Sequence, residues 1–280
     1  MIGRADVAEV VHRALAEDLG AEGDVTTLAT IAPTMIGAAD VVARQAGVVA
    51  GLEVARYVFE TVSQGRLRTE LGSADGSRVD AGEVIATVRG PLRDILTAER
   101  TALNLLGHLS GVATLTRDWV DAVEGSGAQI RDTRKTMPGL RSLEKYAVRV
   151  GGGVNHRMSL SDAALVKDNH VAAAGGVVAA FDAVRRAYPD VDVEIEVDTV
   201  EQARAVVDAG ADLVLLDNMA PADMKAVVEY TAGRARLEAS GGLRLDNARE
   251  VAETGVDYLA VGALTHSAPV LDIGLDIRTA

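Results

Sequence analysis

The sequence predicts an α/β fold, and three observations predict it. After residue 127, short apolar runs alternate with amphipathic helical stretches, the pattern of parallel strands joined by crossover helices. The helical stretches that end AVVDAG and VAETG close on a glycine just before the next apolar run. Each apolar run is followed at once by a polar or charged residue, or by glycines. These observations leave two architectures open, a closed α/β barrel and an open doubly wound sheet.

The elements follow in chain order. Val7, Val10, Val11, Ala14, Leu15 and Leu19 recur at helical spacing, and Gly20 reads as the stop, so the first twenty residues predict an amphipathic helix. Short β-like runs come next, ADVVAR (39–44), VVAG (48–51), RLRTEL (66–71) and EVIATV (83–88), separated by glycine-containing turns. This predicts a small α+β domain. From Pro91 to about Val123 the pattern is helical again, and Gly107 and Gly111 are expected to divide it. The apolar runs of the second half are AQIRDTRK, AALVKDNH, DVEIEVDT, DLVLLDNM, RLEASGG and DYLAVGAL. Amphipathic helices are expected between several of them, at 199–209 and 246–253.

Composition narrows the function. Of 280 residues, 48% are hydrophobic and only 3% aromatic, so the core must be aliphatic. There is no cysteine, which excludes disulfides, thiolate metal sites, iron–sulfur clusters and a cysteine nucleophile. No long uncharged apolar run is present, so no membrane span is expected. The acidic residues scattered through MIGRADVAEVVHRALAEDLG make a signal peptide unexpected, and the chain reads as cytoplasmic. A formal charge of −13 argues against a nucleic-acid partner. Yet from Arg131 to Lys167 there are eight Lys/Arg against three acids. A positive island in a negative chain suits a small anionic ligand drawn into a cleft. A solvated basic helix face is the plainer reading, but these cations do not keep helical spacing.

The strand ends carry the chemistry. The first run ends in Asp132-Thr133-Arg134-Lys135 and the second in Lys167-Asp168-Asn169-His170. Glu194, Glu196 and Asp198 follow, then Asp217-Asn218. The last two runs end in Ser240-Gly241-Gly242 and in Val261-Gly262-Ala263. The C-terminal ends of barrel strands form an active-site rim. One charged strand end is usually a helix cap, but six in succession are not explained by packing. Arg offers a fork for carboxylate or phosphate, and Lys a point charge. Paired glycine turns after late strands can cradle a phosphate with backbone N–H groups. Glu196 and Asp217 suit a divalent cation or a developing positive charge; capping a following helix is the simpler role, more so for Asp198. Lys167 would suit a Schiff base, and equally an anion. His156 and Arg157 follow the glycine-rich GGGVN, where backbone can approach a ligand closely. His170 is assigned a cap.

The chain resembles the quinolinate phosphoribosyltransferase family. The segments that carry the resemblance run nearly end to end: ALAEDLGAEGDVTT (14–27), ERTALNLLGHLSGVAT (99–114), DTRKTMPGLR (132–141), EKYAVRVGGGVNHR (144–157), LVKDNH (165–170), EVD (196–198), LLDNM (215–219), EASGG (238–242) and VGALTHS (261–267). No departure stands at a motif position. The resemblance implies an N-terminal α+β, sandwich-like domain over 1–110, joined by the C-terminal segment 270–280. An irregular parallel α/β barrel over 111–269 would follow.

It also implies the substrates, quinolinate and 5-phosphoribosyl 1-pyrophosphate carried with Mg²⁺, and the products nicotinate mononucleotide, CO₂ and pyrophosphate. Lys135, Lys167, Glu196 and Asp217 would be catalytic, with Glu196 and Asp217 near the metal. Substrate contacts would come from these residues and from Thr133, Arg134, His156, Arg157, Ser240, Gly241, Gly242, Val261, Gly262 and Ala263. A homodimer is implied, in which Arg100 of the ERTALN motif reaches the partner's pocket. The basic island is then expected to balance two carboxylates, a phosphate and a pyrophosphate. A salvage nicotinate phosphoribosyltransferase, a Lys167 Schiff-base aldolase and a non-catalytic sugar-phosphate sensor are the weaker readings.

Overall fold

In the computed structural model, which describes residues 2–278, the strand at Gln129–Arg131 pairs in parallel with the one at Tyr258–Ala260. That pairing decides between the two architectures. It joins the first strand of the second half to the last, as a barrel requires; a doubly wound sheet would instead reverse its strand order at a switch point.

The elements of the first part are α1 (Arg4–Leu19), α2 (Val25–Thr30), β1 (Ile36–Ala43), β2 (Gly47–Val48), α3 (Leu52–Ser63), β3 (Arg68–Leu71), β4 (Arg78–Val79), β5 (Val84–Pro91) and α4 (Leu92–Ala122). The second part holds β6 (Gln129–Arg131), α5 (Arg141–Val150), β7 (Ala164–Val166), α6 (Asp168–Ala174), α7 (Val177–Ala187), β8 (Val193–Val197), α8 (Val200–Asp208), β9 (Leu213–Asp217), α9 (Pro221–Thr231), β10 (Arg236–Ser240), α10 (Leu245–Ala252), β11 (Tyr258–Ala260), α11 (Ala263–His266) and β12 (Ile273–Arg278).

Two compact units result. The first comprises 2–117, 136–152 and 264–278, and the second 118–135 and 153–263. Against the expected blocks, the first unit runs on to 117 rather than 110, takes in 136–152 with α5, and has a closing segment that begins at 264 rather than 270. Of the expected joining segment 270–280, residues 279 and 280 lie outside the described residues.

The first unit is α+β. Its sheet runs β12-β1-β5-β3, with antiparallel pairing throughout, and β2-β4 forms a small second ladder. Phe59, Ile85, Ile95, Leu106 and Leu109 are fully buried within it. The strand expected at 48–51 is shorter, ending at Val48, because Gly51 turns left-handed to start α3. Helix α4 is one continuous rod of 31 residues, so Gly107 and Gly111 do not divide it. They are there for close packing: a Cβ on Gly111 would stand 2.0 Å from the carbonyl oxygen of Pro269, and one on Gly107 2.9 Å from that of Leu271.

The second unit is a six-stranded parallel sheet in the order β6-β11-β10-β9-β8-β7. No ladder joins β6 to β7, and Arg131 instead bridges in parallel to Val154. That seam is what makes the barrel irregular. Along each strand the period of two sorts the side chains. On β8, Ile195 and Val197 are buried among aliphatic neighbours, while Glu194 and Glu196 share the other face.

Candidate active site

The C-terminal ends of the parallel strands enclose a cavity of about 290 Å³. Thr133, Arg134 and Lys135 enter it from the loop after β6, Lys167 from the end of β7 and Ser240 from the end of β10. His156 and Arg157 enter from the loop after α5. Of the substrate-binding residues expected from the sequence, these seven line the cavity together. Leu165, Leu215, Glu238 and Ala260 complete the wall.

The cations crowd one another. Burial pushes the Arg157 guanidinium below its usual range, and the positive charge of Arg134 pushes it further the same way. Arg157 is tied by one guanidinium N–H to the carbonyl of Ala163, at 2.7 Å. Lys135 is exposed, and its backbone N–H donates to Thr133 Oγ1 at 3.0 Å. An anion in the cavity would relieve this crowding.

Lys167, at the end of β7, donates through Nζ to Glu196 Oε2 of β8 at 2.5 Å. Asp217 ends β9. Burial raises its pKa, the charge of Glu196 raises it further, and the Asn218 amide, Lys167 and Lys135 oppose both. Glu196 and Asp217 therefore stand close enough to repel. Hard carboxylate oxygens under mutual repulsion fit a hard divalent cation such as Mg²⁺. Neither caps a helix. The cap of α8 is Thr199, whose Oγ1 accepts the Gln202 N–H, so the expected cap at Asp198 shifts by one residue. His170 does cap: its Nδ1 accepts the Lys167 backbone N–H at 3.0 Å.

Both glycines after β10 are left-handed, Gly241 at φ 82° and Gly242 at φ 62°. A Cβ on Gly241 would fall 2.2 Å from Asn218 Oδ1, so glycine is required there. The Asn218 N–H donates to the carbonyl of Ser240 at 2.9 Å, pinning the ends of β9 and β10 together. Val261 continues β11, and its N–H donates to the Arg131 carbonyl at 2.9 Å. Gly262 and Ala263 lead into α11. Gly241, Gly242, Val261, Gly262, Ala263, Glu196 and Asp217 stand on this rim but do not line the 290 Å³ cavity. Arg100 is exposed on α4 and does not line it either.

Around His156 lies a charged layer whose other members, Arg131, Asp132, Glu194 and Glu238, the sequence reading gave no role. Arg131 donates to Glu238 Oε2 at 2.7 Å and stacks 4.8 Å over the Tyr258 ring. Glu238 is fully buried, and burial lifts its pKa to about 8, with Glu194 adding to the rise and Arg131 opposing it. His156 Nε2 lies 2.7 Å from Glu194 Oε2 and 3.7 Å from Glu238 Oε1. Asp132, also fully buried, accepts the His156 N–H at 2.8 Å and the Asn155 amide at 2.5 Å. Ligand atoms of His156, Glu194 and Glu238 lie within 4.8 Å of one another, but Arg131 and the imidazole already answer these carboxylates. Glu194 was detectable in VEIEV, two residues before Glu196 and so on its face of the strand.

Comparison with known proteins agrees with this geometry. Residues 112–276 match the family description "Quinolinate phosphoribosyl transferase, C-terminal domain" and residues 24–110 the corresponding N-terminal domain. The chain is 52% identical over 273 residues, 96% of each chain, to a protein of Mycobacterium leprae (strain TN) named nicotinate-nucleotide pyrophosphorylase [carboxylating]. It is 40% identical, over 93% of its length and 90% of the relative's, to a Bacillus subtilis (strain 168) protein named probable nicotinate-nucleotide pyrophosphorylase [carboxylating]. The crystal structure of NadC from Streptococcus pyogenes superposes with a TM-score of 0.95 at 37% identity, covering 100% of this chain and 99% of that one.

Proposed function

The chain belongs to the quinolinate phosphoribosyltransferase family, and on that premise we infer that it makes nicotinate mononucleotide for de novo NAD biosynthesis. It transfers the phosphoribosyl group of 5-phosphoribosyl 1-pyrophosphate to quinolinate, releasing CO₂ and pyrophosphate. The observation that carries the assignment to this pocket is the crowding of Arg157 by Arg134 in a cavity that Lys135 and Lys167 also line. Cations gathered around one cavity favour a multiply charged anion there.

The residues divide by the charge they face. Thr133, Arg134, Lys135, His156 and Arg157 are assigned to the two carboxylates of quinolinate. Lys167, Ser240, Gly241, Gly242, Val261, Gly262 and Ala263 are assigned to the phosphoribosyl substrate. The pyridine nitrogen attacks the anomeric carbon of the ribose, and the bonding pair leaves with pyrophosphate. Positive charge grows on the sugar in that step, and Glu196 and Asp217 are placed to stabilise it. No enzymic nucleophile is needed. The carboxylate beside the new pyridinium then leaves as CO₂, its electron pair held by the cationic ring, and a proton takes its place.

Mg²⁺, carried with the phosphoribosyl substrate, would be held by Glu196 and Asp217 and would neutralise charge on the pyrophosphate. The active form is a homodimer in the cytoplasm, with Arg100 from the partner subunit completing each pocket. No nucleic acid takes part. No helix among the described residues is long and apolar enough to cross a membrane. The direct test is a coupled assay of quinolinate with 5-phosphoribosyl 1-pyrophosphate, with and without Mg²⁺. Stoichiometric release of CO₂ and pyrophosphate supports the function, and turnover undiminished by a chelator removes the metal from it.

A further inference from the structure

We propose that Glu194 is a positioning residue for the dicarboxylate pocket: it takes the Nε2–H of His156 and so locks the ring whose Nδ1 holds the Arg157 backbone. Glu194 does not line the 290 Å³ cavity. It lines a separate one of about 480 Å³, formed around the N-terminal ends of β8, β9 and β10. It reaches the pocket through His156 and Arg157, which line both cavities.

The ring's protonation follows from its partners. The Arg157 N–H donates to His156 Nδ1 at 2.7 Å. A ring nitrogen that accepts carries no proton, so the imidazole N–H is on Nε2. Nε2 stands 2.7 Å from Glu194 Oε2, an ion-pair distance at which neither atom makes an aligned hydrogen bond. Neither oxygen of Glu194 has a well-aligned donor elsewhere among the described residues, although the residue is only 3% exposed. Glu238 is the other carboxylate near Nε2, but Arg131 already holds it. A buried carboxylate without a partner is costly, and His156 Nε2 stands 2.7 Å from Glu194, whose charge also bears on Arg157.

The His156 backbone and the side chains on either side of it are held. Asp132 holds the Asn155 amide and the His156 N–H, and Ala163 holds the Arg157 guanidinium. The imidazole lies with Nε2 2.7 Å from Glu194 and Nδ1 on the Arg157 N–H, and Glu194 is assigned the part of holding that orientation. With the ring turned over, Nδ1 would no longer meet the Arg157 N–H, and Arg157 would lose its aim into the cavity.

The inference rests on the assignment of Arg157 to quinolinate, so the experiment separates the two. The protein is labelled with ¹⁵N-histidine; its five histidines give few signals, and H156N assigns one of them. The wild type should show a neutral ring protonated at Nε2. E194A should lose that signature and bind quinolinate about tenfold more weakly, as expected when a buried donor loses its acceptor. Binding of 5-phosphoribosyl 1-pyrophosphate should stay within about twofold of wild type, because nothing assigned to it is touched. E194Q should restore both readouts, since its amide oxygen accepts the same N–H. Should E194A not fold, the near-isosteric E194M takes its place.

An unchanged tautomer in E194A, or an E194Q that binds quinolinate as weakly as E194A, overturns the proposal. R157A is the control for the assignment. Unchanged quinolinate binding in R157A brings down the assignment of the pocket and leaves the tautomer to decide the role of Glu194.

Discussion

Lys167 Nζ and Glu196 Oε2 meet at 2.5 Å across the ends of two adjacent strands, so a cation assigned to anions and a carboxylate assigned to cations neutralise each other. E196Q frees Lys167 but removes a negative charge from the growing cation of the sugar. We expect kcat to fall by about a hundredfold in E196Q and in D217N, the scale of losing one preorganised electrostatic contact. The KM for quinolinate should change little, because neither side chain is assigned to the pyridine acid. Steady-state kinetics with each substrate varied check this, and a rise confined to the quinolinate KM refutes the roles given.

Substrate choice follows from the cation count. A site that pairs two carboxylates leaves buried positive charge unpaired around one. Quinolinate should therefore exceed nicotinate in kcat/KM by on the order of 10⁴-fold, as for other sites built around a polar group the poorer substrate lacks. Comparable values for the two acids would contradict the pocket.

Arg100 can be tested by subunit mixing. R100A should lose quinolinate affinity and keep its fold, since an exposed helix arginine is rarely a large stability term. K135A should fail in its own chain's pocket. Mixed dimers carry one pocket with both defects and one with neither. With free exchange roughly half the dimers are mixed, so recovered activity should approach roughly a quarter of wild type. No recovery, with exchange shown by a mass-labelled subunit, removes Arg100 from the partner's site.

Glu238 makes stability depend on pH. Unfolded, its carboxyl ionises near 4.5; folded, it holds its proton until about pH 8. The folded chain thus binds more protons between these values, and stability must fall as pH rises through them. E238Q is neutral throughout. Its Tm should decline less than that of wild type between pH 6 and pH 9, whatever the cost of leaving Arg131 without its partner. Parallel slopes would mean that Glu238 is ionised in the folded protein already at pH 6.

Gly111→Ala sets helix propensity against packing. Alanine is favoured in a helix interior by about 1 kcal/mol. Here its Cβ would stand 2.0 Å from a backbone carbonyl. The clash should prevail, with a net loss of roughly 1–3 kcal/mol by overpacking. Urea melts measure it, and a stabilised variant would show that the 264–278 segment yields easily.

Much of this was legible in sequence because it is periodic. Strand–helix alternation located every parallel strand, and the polar strand ends located Thr133 to Lys135, Lys167, Glu196, Asp217 and the Ser240 turn. What stayed hidden depends on partners distant in the chain. Gly107 and Gly111 look like helix breakers until Pro269 and Leu271 are seen against them. Glu238 looks like the solvent side of a half-exposed strand, because alternation alone does not say which face turns into a barrel; Glu194 was noted among the polar strand ends but given no role. Arg131 and Asp132 counted as members of a charge cluster, whereas one donates to Glu238 and the other holds the Asn155 side chain and the His156 backbone N–H.

The pairing of β12 with β1 has a consequence for synthesis. Ala38 lies opposite Arg278, so the edge of the first sheet waits for β12 to leave the ribosome. All six barrel strands emerge before that moment. The barrel can therefore assemble during translation, while the N-terminal unit is held open with β1 unpaired along one side. Pairings this far apart in sequence form slowly, and an uncovered strand edge invites association with other chains. Truncation just before Ile273 should spare the barrel and leave a nascent first unit that depends on chaperones.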